Sequence, residues 1–366
     1  MKVAIVVNTS WNVYNFRLGL IRALIDQGSE VHAIAPRDEY SEKLRQEGCI
    51  YHALKMDSRG AHPLKDMALT FELYRLYKKI KPDVVLHYTI KPNIYGSFAA
   101  AFLNIPAVNN VCGLGTAFLQ KNMVSRVAIM LYKLAFRFPK KIFFQNEHDQ
   151  SFFIENKIVR KSTTGVLPGS GIDLKKFIPN RSTRNNKFTF LLVSRLIHDK
   201  GILEYIQAIE ILKKKGVKAS YQLLGKLDPA HRRGIAESLV NQWIDENRVE
   251  YLGSTDDVRP FLNHADCVVL PSYREGTPRT LLEAASSGKP LVATNVPGCN
   301  NVVHHEFNGL LCDVKDARDL AAKMYQMTRM SQQQLDQMGE NGRKLATSRF
   351  DQQLVIDRYL STLASL

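Results

Sequence analysis

Two glutamates with seven residues between them, Glu275 and Glu283, have side chains suited to sugar chemistry. Carboxylates accept hydrogen bonds from sugar hydroxyls, often two at once, and need no metal ion to do so. An arbitrary pair of acids at this spacing is more often one loop acid and one solvated helix acid. The residues around the pair therefore decide between a binding site and an ordinary surface.

The pair brackets the predicted start of a helix that follows a buried strand. The apolar run 267–271 predicts the strand, Thr277 is a good N-cap, and Pro278 suits the first helical position. Gly288 and Pro290 are expected to end the helix. Because a helix that begins at the carboxyl end of a parallel strand presents free N–H groups and a positive dipole, the stretch predicts a phosphate site.

The elements that must position these residues alternate between strands and helices, which predicts an α/β fold with doubly wound parallel sheets. The segment 9–17 is predicted as a loop, and it lacks the GxGxxG fingerprint of dinucleotide-binding proteins. In the first half, strands are predicted at 3–7, 30–35, 82–88, 106–111 and 141–146, and helices at 19–27, 40–47, 66–80, 92–103 and 123–138.

A second series of strands and helices begins at Phe188. The predicted organisation is an acceptor-binding domain over 1–170, a linker over 171–187 and a nucleotide-sugar-binding domain over 188–350. The amphipathic helix 351–366 is expected to pack back on the first domain. In the second domain, strands are predicted at 188–194, 220–224, 249–252, 267–271 and 291–294, and helices at 202–215, 235–246, from 257, from 317 and from 331.

Composition is that of an ordinary globular protein with room for two domains in its 366 residues. The opening residues read as a first strand rather than a signal peptide, and no apolar stretch approaches a membrane span. The five cysteines are scattered without CxxC spacing, as expected of reduced thiols in a cytosolic protein.

The net charge of +15 is unevenly spread, because no acidic residue occurs between Asp83 and Glu147. Such a surface attracts nucleic acid, anionic lipid or phosphorylated substrates, and charge alone does not choose among them. The basic residues of this stretch are Lys91, Lys121, Arg126, Lys133, Arg137, Lys140 and Lys141.

The helix predicted over 123–138 has apolar residues at three- and four-residue spacing. It could be a core-packed helix with a solvated basic face or an interfacial helix on a membrane, and the sequence leaves both open. The apolar positions are Val124, Val127, Ala128, Leu131, Leu134, Ala135 and Phe138.

Cationic residues follow the first strand of the second domain directly. Arg195 and Lys200 lie at a strand-to-helix junction, where two cations favour a pyrophosphate over an ordinary solvated surface. In the first domain, His87 at the carboxyl end of its strand is expected to face a ligand-binding cleft, although a histidine at a strand end is more often structural.

The chain resembles the retaining glycosyltransferases of family 4 along nearly its whole length. This resemblance implies the GT-B fold, in which two Rossmann-like domains face a central cleft. The landmarks of the second half occur in family order: Ser194-Arg195, Lys200-Gly201, Leu224-Gly225, Leu252-Gly253, Leu270-Pro271-Ser272, Glu275 to Glu283, Pro297-Gly298 and Asn308-Gly309-Leu310-Leu311.

By this resemblance Glu275 contacts the transferred sugar and Glu283 the ribose of the nucleotide. Together with Glu275, the cations Arg195 and Lys200 are predicted to be catalytic. Further donor-binding residues are predicted to be Gly276, Thr277, Pro278, Arg279, Thr280, Gly225, Gly253, Val258, Asn15 and Phe16. The predicted acceptor side comprises His87, Cys112, Gly113, Leu114, Gly115 and Arg59.

The first half is similar to a narrower, PglA-like branch, which transfers N-acetylgalactosamine from its UDP form to a sugar on undecaprenyl diphosphate. This similarity rests on Asn15-Phe16-Arg17, Asp38-Glu39-Tyr40, Lys91-Pro92-Asn93, Gly113-Leu114-Gly115 and Leu131-Tyr132-Lys133-Leu134. Two departures stand out. Many family members have Gly-Gly where this chain has Thr9-Ser10, and many have a cleft histidine after a mid-domain strand where this chain has Asn109-Asn110-Val111-Cys112. The branch is expected to have glutamate at the position of Cys112.

The resemblance thus implies a hexosyltransferase without metal or cofactor that builds protein N-glycan, O-antigen or capsule. Its expected partners are a UDP-sugar donor, an undecaprenyl-diphosphate-linked acceptor, an anionic membrane surface and other glycan-assembly enzymes. Its expected place is the cytoplasmic face of the inner membrane of a bacterium. Alternatives are another UDP-hexose donor or a non-hydrolysing UDP-sugar epimerase. A nucleic-acid-binding protein is disfavoured, because no RNP, KH or zinc motif accompanies the positive charge.

Overall fold

The chain forms two units, each built on its own parallel sheet. The computed structural model describes residues 1–57, 62–114, 123–180, 187–229 and 231–366. Unit 1 comprises Met1–Ser170 with Gln352–Leu366, and unit 2 comprises Gly171–Asp351.

The sheet of unit 1 has seven parallel strands in the order β3-β2-β1-β4-β5-β6-β7. The order reverses direction between β1 and β4, and such switch points are where open α/β sheets bind ligands. The strands are β1 Lys2–Val6, β2 Glu30–Ala35, β3 Ile50–Ala53, β4 Val84–Tyr88, β5 Ala107–Val111, β6 Lys141–Phe144 and β7 Thr164–Val166.

Helices α1 to α6 connect these strands and cover the sheet. A π-helical turn, Pro92–Gly96, leads directly into α4. The helices are α1 Ser10–Asp26, α2 Tyr40–Gln46, α3 Pro63–Ile80, α4 Ser97–Phe102, α5 Met123–Ala135 and α6 Glu147–Glu155.

The segment 9–17, predicted as a loop, is instead the start of α1, so the predicted helix start at Gly19 was wrong. Thr9 is the N-cap, and its hydroxyl accepts a hydrogen bond from the Asn12 backbone N–H at 3.1 Å. The buried side chains of Val13, Arg17, Leu20, Ile21 and Leu24 lie on one face at helical spacing.

Unit 2 repeats this architecture with six parallel strands in the order β10-β9-β8-β11-β12-β13, and its switch point lies between β8 and β11. Doubly wound parallel sheets, predicted for both halves of the chain, are confirmed. The strands are β8 Phe188–Val193, β9 Ala219–Leu224, β10 Glu250–Tyr251, β11 Cys267–Leu270, β12 Leu291–Thr294 and β13 Gly309–Cys312.

The helices of unit 2 enclose two apolar clusters, one on each face of the sheet. Ile172 and Phe177, within the segment predicted as a linker, are buried in one of these clusters, so this part of the chain packs into unit 2. The helices are α7 Ile202–Lys214, α8 Glu237–Asp245, α9 Arg259–His264, α10 Arg279–Ser286, α11 Cys299–Val302, α12 Ala317–Arg329 and α13 Gln332–Arg349.

The last helix, α14 Gln352–Ala364, belongs to unit 1. Its side chains Val355, Ile356, Tyr359 and Leu363 are buried among residues of β1, β4 and α1. The Tyr359 hydroxyl also accepts a hydrogen bond from the Asn110 amide at 2.9 Å. The core of unit 1 is therefore completed by residues from the far end of the sequence.

Helix α5 has an apolar stripe on its exposed side. Val127, Met130 and Leu134 on the helix are 45%, 55% and 40% exposed, and Phe138, three residues after its end, is 49% exposed. The core-packed alternative was therefore wrong for Val127, Leu134 and Phe138, whereas Tyr132, Ala135 and Phe136 are buried. The side chain of Val124 lies outside the described part of the chain. Across the described residues, the helices are all too short or too polar to span a membrane.

Candidate functional site

The two glutamates lie beside the carboxyl end of β11, next to the switch point of the unit 2 sheet. Helix α10 begins at Arg279 with Pro278 as N-cap, so the prediction of Thr277 as N-cap was wrong by one residue. Pro278 has extended backbone angles, with ψ of 114°, and its carbonyl accepts hydrogen bonds from the N–H groups of Leu281 and Leu282. The helix ends at Ser286, and Gly288 follows with φ of 70°, as predicted.

Glu275 forms an ion pair with Lys200, whose ammonium donates a hydrogen bond to Oε1. The two side chains are 12% and 20% exposed. Lys200 ends the 3₁₀ turn His198–Lys200, and the next residue, Gly201, has φ of 69°. A Cβ at Gly201 would lie 2.1 Å from the Pro271 carbonyl oxygen, so only glycine lets this turn approach the end of β11. The close approach brings Lys200 to Glu275.

The tail of the same strand is fixed to this turn by two further hydrogen bonds. The Asp199 carbonyl accepts from the Tyr273 N–H at 2.9 Å and from the Ser272 hydroxyl at 3.1 Å. The Tyr273 hydroxyl in turn donates to the Glu204 carboxylate at 2.7 Å. The segment that follows β11 is thus held by the 3₁₀ turn after β8 as well as by its own strand.

Gly298 fixes the Glu275 loop from the other side and is a residue that the predicted site omitted. Its φ is 88°, and a Cβ there would lie 2.6 Å from the Glu275 carbonyl oxygen and 2.7 Å from that of Gly276. The Glu275 N–H also bonds to the Pro297 carbonyl at 3.4 Å. The Pro297-Gly298 turn was visible in the sequence, but the loop that it would touch was not.

Glu283 lies on α10, one turn beyond Arg279, whose Nε donates to Oε1 at 2.9 Å. Burial raises the pKa of the Glu283 carboxyl, and the Arg279 charge opposes that shift only in part. The charge of Lys176 lowers this pKa and that of Asp257 raises it, so both residues lie in the neighbourhood of Glu283. In the first turn of α10, the Thr280 hydroxyl donates a hydrogen bond to the Val193 carbonyl at 3.1 Å. This bond connects α10 to the end of β8.

Arg195 follows β8, and its side chain is exposed without a hydrogen bond or ion pair inside the described ranges. Gly225 and Gly253 lie at the neighbouring strand ends, joined by a backbone hydrogen bond of 2.7 Å. Val258 is the half-buried N-cap of α9. The predicted donor residues of unit 2 therefore share one edge of its sheet.

Asn15 and Phe16, the predicted donor residues of unit 1, lie in the second turn of α1. The Asn15 amide donates to the Trp11 carbonyl at 3.0 Å. The Phe16 ring meets the Trp11 ring edge-on, with centroids 5.1 Å apart. Both side chains are half-buried.

His87 does not face a ligand site, and the expectation that it would was wrong. Its side chain is 0% exposed. Nε2 lies 2.9 Å from the Tyr77 hydroxyl, and Nδ1 lies 2.9 Å from Asn109 Oδ1. Burial lowers the pKa of the imidazole to about 4, although the Asn109 hydrogen bond opposes the shift. His87 is therefore a neutral, internally bonded core residue.

The remaining acceptor-side residues divide into three groups. Cys112 is half-buried directly after β5, and its thiol lies 3.4 Å from Asn110 Oδ1. Leu114 is a core residue, 2% exposed, and Gly113 has φ of 116°. Gly115 and Arg59 lie outside the described residues. The structure also brings together no three potential metal-ligating side chains of His, Cys, Asp or Glu within its described ranges.

Two family models match the two units. The model described as glycosyl transferase 4-like matches residues 2–146, and the model described as glycosyl transferases group 1 matches residues 175–345. The chain belongs to the family 4 glycosyltransferases.

Curated relatives of this glycosyltransferase include two enzymes with lipid-linked substrates in their names. A Campylobacter jejuni N,N'-diacetylbacillosaminyl-diphospho-undecaprenol alpha-1,3-N-acetylgalactosaminyltransferase is 29% identical, over 98% of this chain and 97% of the relative. An Escherichia coli UDP-Gal:alpha-D-GlcNAc-diphosphoundecaprenol alpha-1,3-galactosyltransferase is 28% identical, over 70% of this chain and 69% of the relative.

Solved structures establish the fold of this glycosyltransferase as GT-B, as predicted. Anabaena HepE in complex with UDP and glucose aligns with a TM-score of 0.83 at 21% identity, over 100% of both chains. Sucrose-phosphate synthase from Thermosynechococcus elongatus aligns with a TM-score of 0.82 at 18% identity, also over 100% of both chains.

Proposed function

We propose that this glycosyltransferase moves N-acetylgalactosamine from UDP to a sugar on undecaprenyl diphosphate, with retention of the anomeric configuration and without a metal ion. The names of the Campylobacter jejuni and Escherichia coli relatives support the class of acceptor, and the former supports the donor sugar. The single observation that carries the proposal is the Glu275–Lys200 pair at the switch point of unit 2, with Glu283 on the adjoining helix.

Unit 2 binds the donor in this proposal. Glu275 accepts hydrogen bonds from hydroxyls of the transferred sugar, and Glu283 accepts them from the ribose. The Lys200 ammonium has three N–H donors, so it can hold Glu275 and a phosphate oxygen at the same time. The exposed Arg195 adds a second cation at the same edge of the sheet.

Transfer begins as the bond between the sugar C1 and the β-phosphate oxygen breaks. Negative charge then grows on the phosphate, where Lys200, Arg195 and the amino end of α10 stabilise it in place of a divalent cation. The acceptor hydroxyl oxygen forms the new bond to C1 from the same face. Its proton passes to the departing phosphate oxygen, so the products are UDP and the extended glycan.

Unit 1 binds the acceptor and docks on an anionic membrane, at the cytoplasmic face in this proposal. The exposed apolar stripe of α5 supports this docking, because Arg126, Lys133 and Arg137 are exposed on the same helix or directly after it. Basic side chains attract anionic headgroups, and an apolar face can enter the interface between headgroups and acyl chains. Lys121 contributes to this stretch in the sequence but lies outside the described residues.

The test is an incubation of the protein with a panel of UDP-hexoses and UDP-N-acetylhexosamines and an undecaprenyl-diphosphate-linked sugar, read by mass spectrometry. A product heavier by one N-acetylhexosamine, formed from UDP-N-acetylgalactosamine and α-linked by NMR, is the expected result. A β-linkage would contradict retention. A UDP-sugar converted to its epimer without acceptor would indicate the epimerase alternative.

A further inference from the structure

The guanidinium of Arg17 is buried in unit 1, and no carboxylate of the described residues pairs with it. The residue is 4% exposed. Its Nη2 donates to the Cys112 thiol at 3.7 Å, its Nη1 donates to the Phe16 carbonyl at 3.4 Å, and its carbon centre lies 4.1 Å from the centroid of the Tyr88 ring. Its Nε has no hydrogen-bond partner among the residues that the structure describes.

These contacts leave the positive charge uncompensated. A thiol is a weak acceptor, and an aromatic face attracts a cation only modestly. Burying a charge without an opposite charge is costly, so proteins seldom do it without a function. Arg17 is therefore expected to hold an anion that the folded chain does not itself supply.

Buried oxygen atoms without partners among the described residues also lie at the switch point of the unit 1 sheet. The Oδ1 atoms of Asn8 and Asn12 and the hydroxyl of Thr89 are buried and have no hydrogen-bond partner within the described ranges. Val6 pairs with His87 in the β1–β4 register, so Asn8 and Thr89 follow the two strands side by side. Thr89 has φ of 67°, a strained conformation for a β-branched residue.

The amino end of α1 does not itself provide the anion site. Thr9 bonds to the Asn12 N–H, and Asp38 bonds to the Trp11 N–H at 3.0 Å, so the first turn is already capped within unit 1. The Arg17 side chain supplies a buried cation at this edge. The unpartnered oxygens of Asn8, Asn12 and Thr89 can accept hydrogen bonds from hydroxyls, and the Arg17 cation can bind a phosphate. A ligand that carries both phosphate and sugar fits these groups.

We propose that Arg17, Asn8, Asn12 and Thr89 form a site for a phosphorylated sugar, and that its occupant is the sugar-diphosphate end of the lipid-linked acceptor. Arg17 holds the diphosphate, and the three oxygens accept hydrogen bonds from sugar hydroxyls. This inference rests on the proposed function for the identity of the acceptor. The acceptor is chosen over the donor because unit 2 has its own cations, Lys200 and Arg195, for the donor's diphosphate.

The experiment is titration calorimetry with three probes: farnesyl-diphospho-N-acetylglucosamine, the methyl glycoside of the same sugar, and UDP. Arg17→Met is compared with wild type and with Arg22→Met, which removes an exposed arginine of the same helix that pairs with Glu47. We expect Arg17→Met to weaken binding of the diphosphate probe at least about tenfold, because a charge-assisted hydrogen bond is lost. UDP binding should stay within a factor of two, and Arg22→Met should bind all probes as wild type does.

Thermal unfolding of the ligand-free variants separates a binding role from a structural one. If the Arg17 charge serves a ligand, Arg17→Met should unfold at the same temperature as wild type or higher, because an uncompensated buried charge is replaced by an apolar chain. A lower melting temperature would indicate a structural arginine and overturn the proposal. Arg17→Lys, which keeps the charge but not the planar fork, should bind the diphosphate probe with intermediate affinity.

Three further results of the binding and transfer experiments would remove the Arg17 site, reassign it, or separate it from the proposed function. Failure of wild type to bind the diphosphate probe, or equal binding by Arg17→Met, would remove the site. A selective loss of UDP binding would assign Arg17 to the donor's diphosphate instead. If transfer from every UDP-sugar fails while Arg17 still governs the diphosphate probe, the proposed function falls and this site remains.

Discussion

The Lys200 ammonium donates a hydrogen bond to the Glu275 carboxylate across the end of β11. The pair joins two segments that are 75 residues apart in the chain. It places a positive charge and a carboxylate next to each other close to the amino end of α10. The proposed mechanism uses both charges there, with Glu275 holding the sugar and Lys200 stabilising the departing phosphate.

Glu275→Gln should lower kcat by about 100-fold or more, since an interaction made at the reacting centre is lost. UDP affinity should remain nearly unchanged, because the proposed contact of Glu275 is with the transferred sugar. The measurement is UDP release with donor and acceptor, beside calorimetry with UDP alone. A variant that no longer binds UDP would show that the roles of Glu275 and Glu283 are divided differently.

Glu283→Gln should weaken UDP binding about tenfold or more, because the carboxylate proposed to accept hydrogen bonds from the ribose is lost. Calorimetry with UDP measures this loss, and Glu340→Gln, an exposed acid on α13, is the matched control. Unchanged affinity for UDP would remove Glu283 from the donor site.

The same substitution should change the pH dependence of stability. Burial raises the pKa of Glu283 in the folded state, so folding favours its protonated form. The stability that this form contributes is complete below the unfolded pKa and is lost as pH rises through the folded value. Glu283→Gln should therefore melt above wild type at neutral pH, and the difference should shrink on acidification. A constant difference across the pH range would contradict the raised pKa.

His87 should make the protein acid-sensitive. Its pKa is lowered from 6.5 to about 4 by burial, so the folded state excludes the proton that the unfolded chain binds. Its contribution to stability is present above pH 6.5 and is lost as pH falls towards 4, at up to about 1.4 kcal/mol per pH unit. The free energy of unfolding, measured with denaturant at several pH values, should depend less steeply on pH in this window for His87→Gln than for wild type. His264→Gln, which changes an exposed histidine, should keep the pH dependence of wild type.

Transfer should continue in excess EDTA. Lys200, Arg195 and the amino end of α10 are proposed to stabilise the charge that a divalent cation stabilises in other enzymes. The assay measures product formation after chelation and after addition of magnesium or manganese. Loss of activity that either metal restores would overturn this part of the mechanism.

Binding to anionic vesicles should depend on the basic residues around α5. Changing Lys121, Arg126, Lys133, Arg137, Lys140 and Lys141 to Gln should abolish co-sedimentation with phosphatidylglycerol liposomes, because each cation near such a surface contributes about 1 kcal/mol. Wild-type binding should fall as salt rises. The charge-matched control changes six exposed cations of unit 2 to Gln: Lys213, Lys214, Lys215, Lys218, Arg318 and Arg329. Equal binding by both variants would exclude the α5 surface.

Sequence patterns predicted the central strands well, because their continuous apolar runs are a local signal. The predicted strand Glu30–Ala35 and the start of α12 at Ala317 agree with the structure to the residue. The short edge strands β3 and β7 were missed, since half-exposed segments of three or four residues carry little pattern. The start of α1 was missed because its polar and aromatic first turns resemble a loop.

The candidate site was likewise only partly predictable from the sequence. The grouping of Glu275, Lys200 and Glu283 was predicted from their positions after strands of one parallel sheet, because the carboxyl ends of parallel strands meet at one edge. Which side of a strand a side chain occupies was not predictable, and His87 therefore turned out to be a core residue. No acid of the described residues pairs with Arg17, and this depends on three-dimensional packing, for which a sequence has no local sign.

The packing of α14 on unit 1 has a consequence for how the protein is made. Residues 1–170 leave the ribosome first, yet Val355, Ile356 and Tyr359 belong to their hydrophobic core. At about 5–20 residues per second, synthesis of the intervening chain delays these residues by roughly 10–40 s. During this interval the nascent first unit has an open apolar groove, so unit 2 can finish folding before unit 1 although it is translated later.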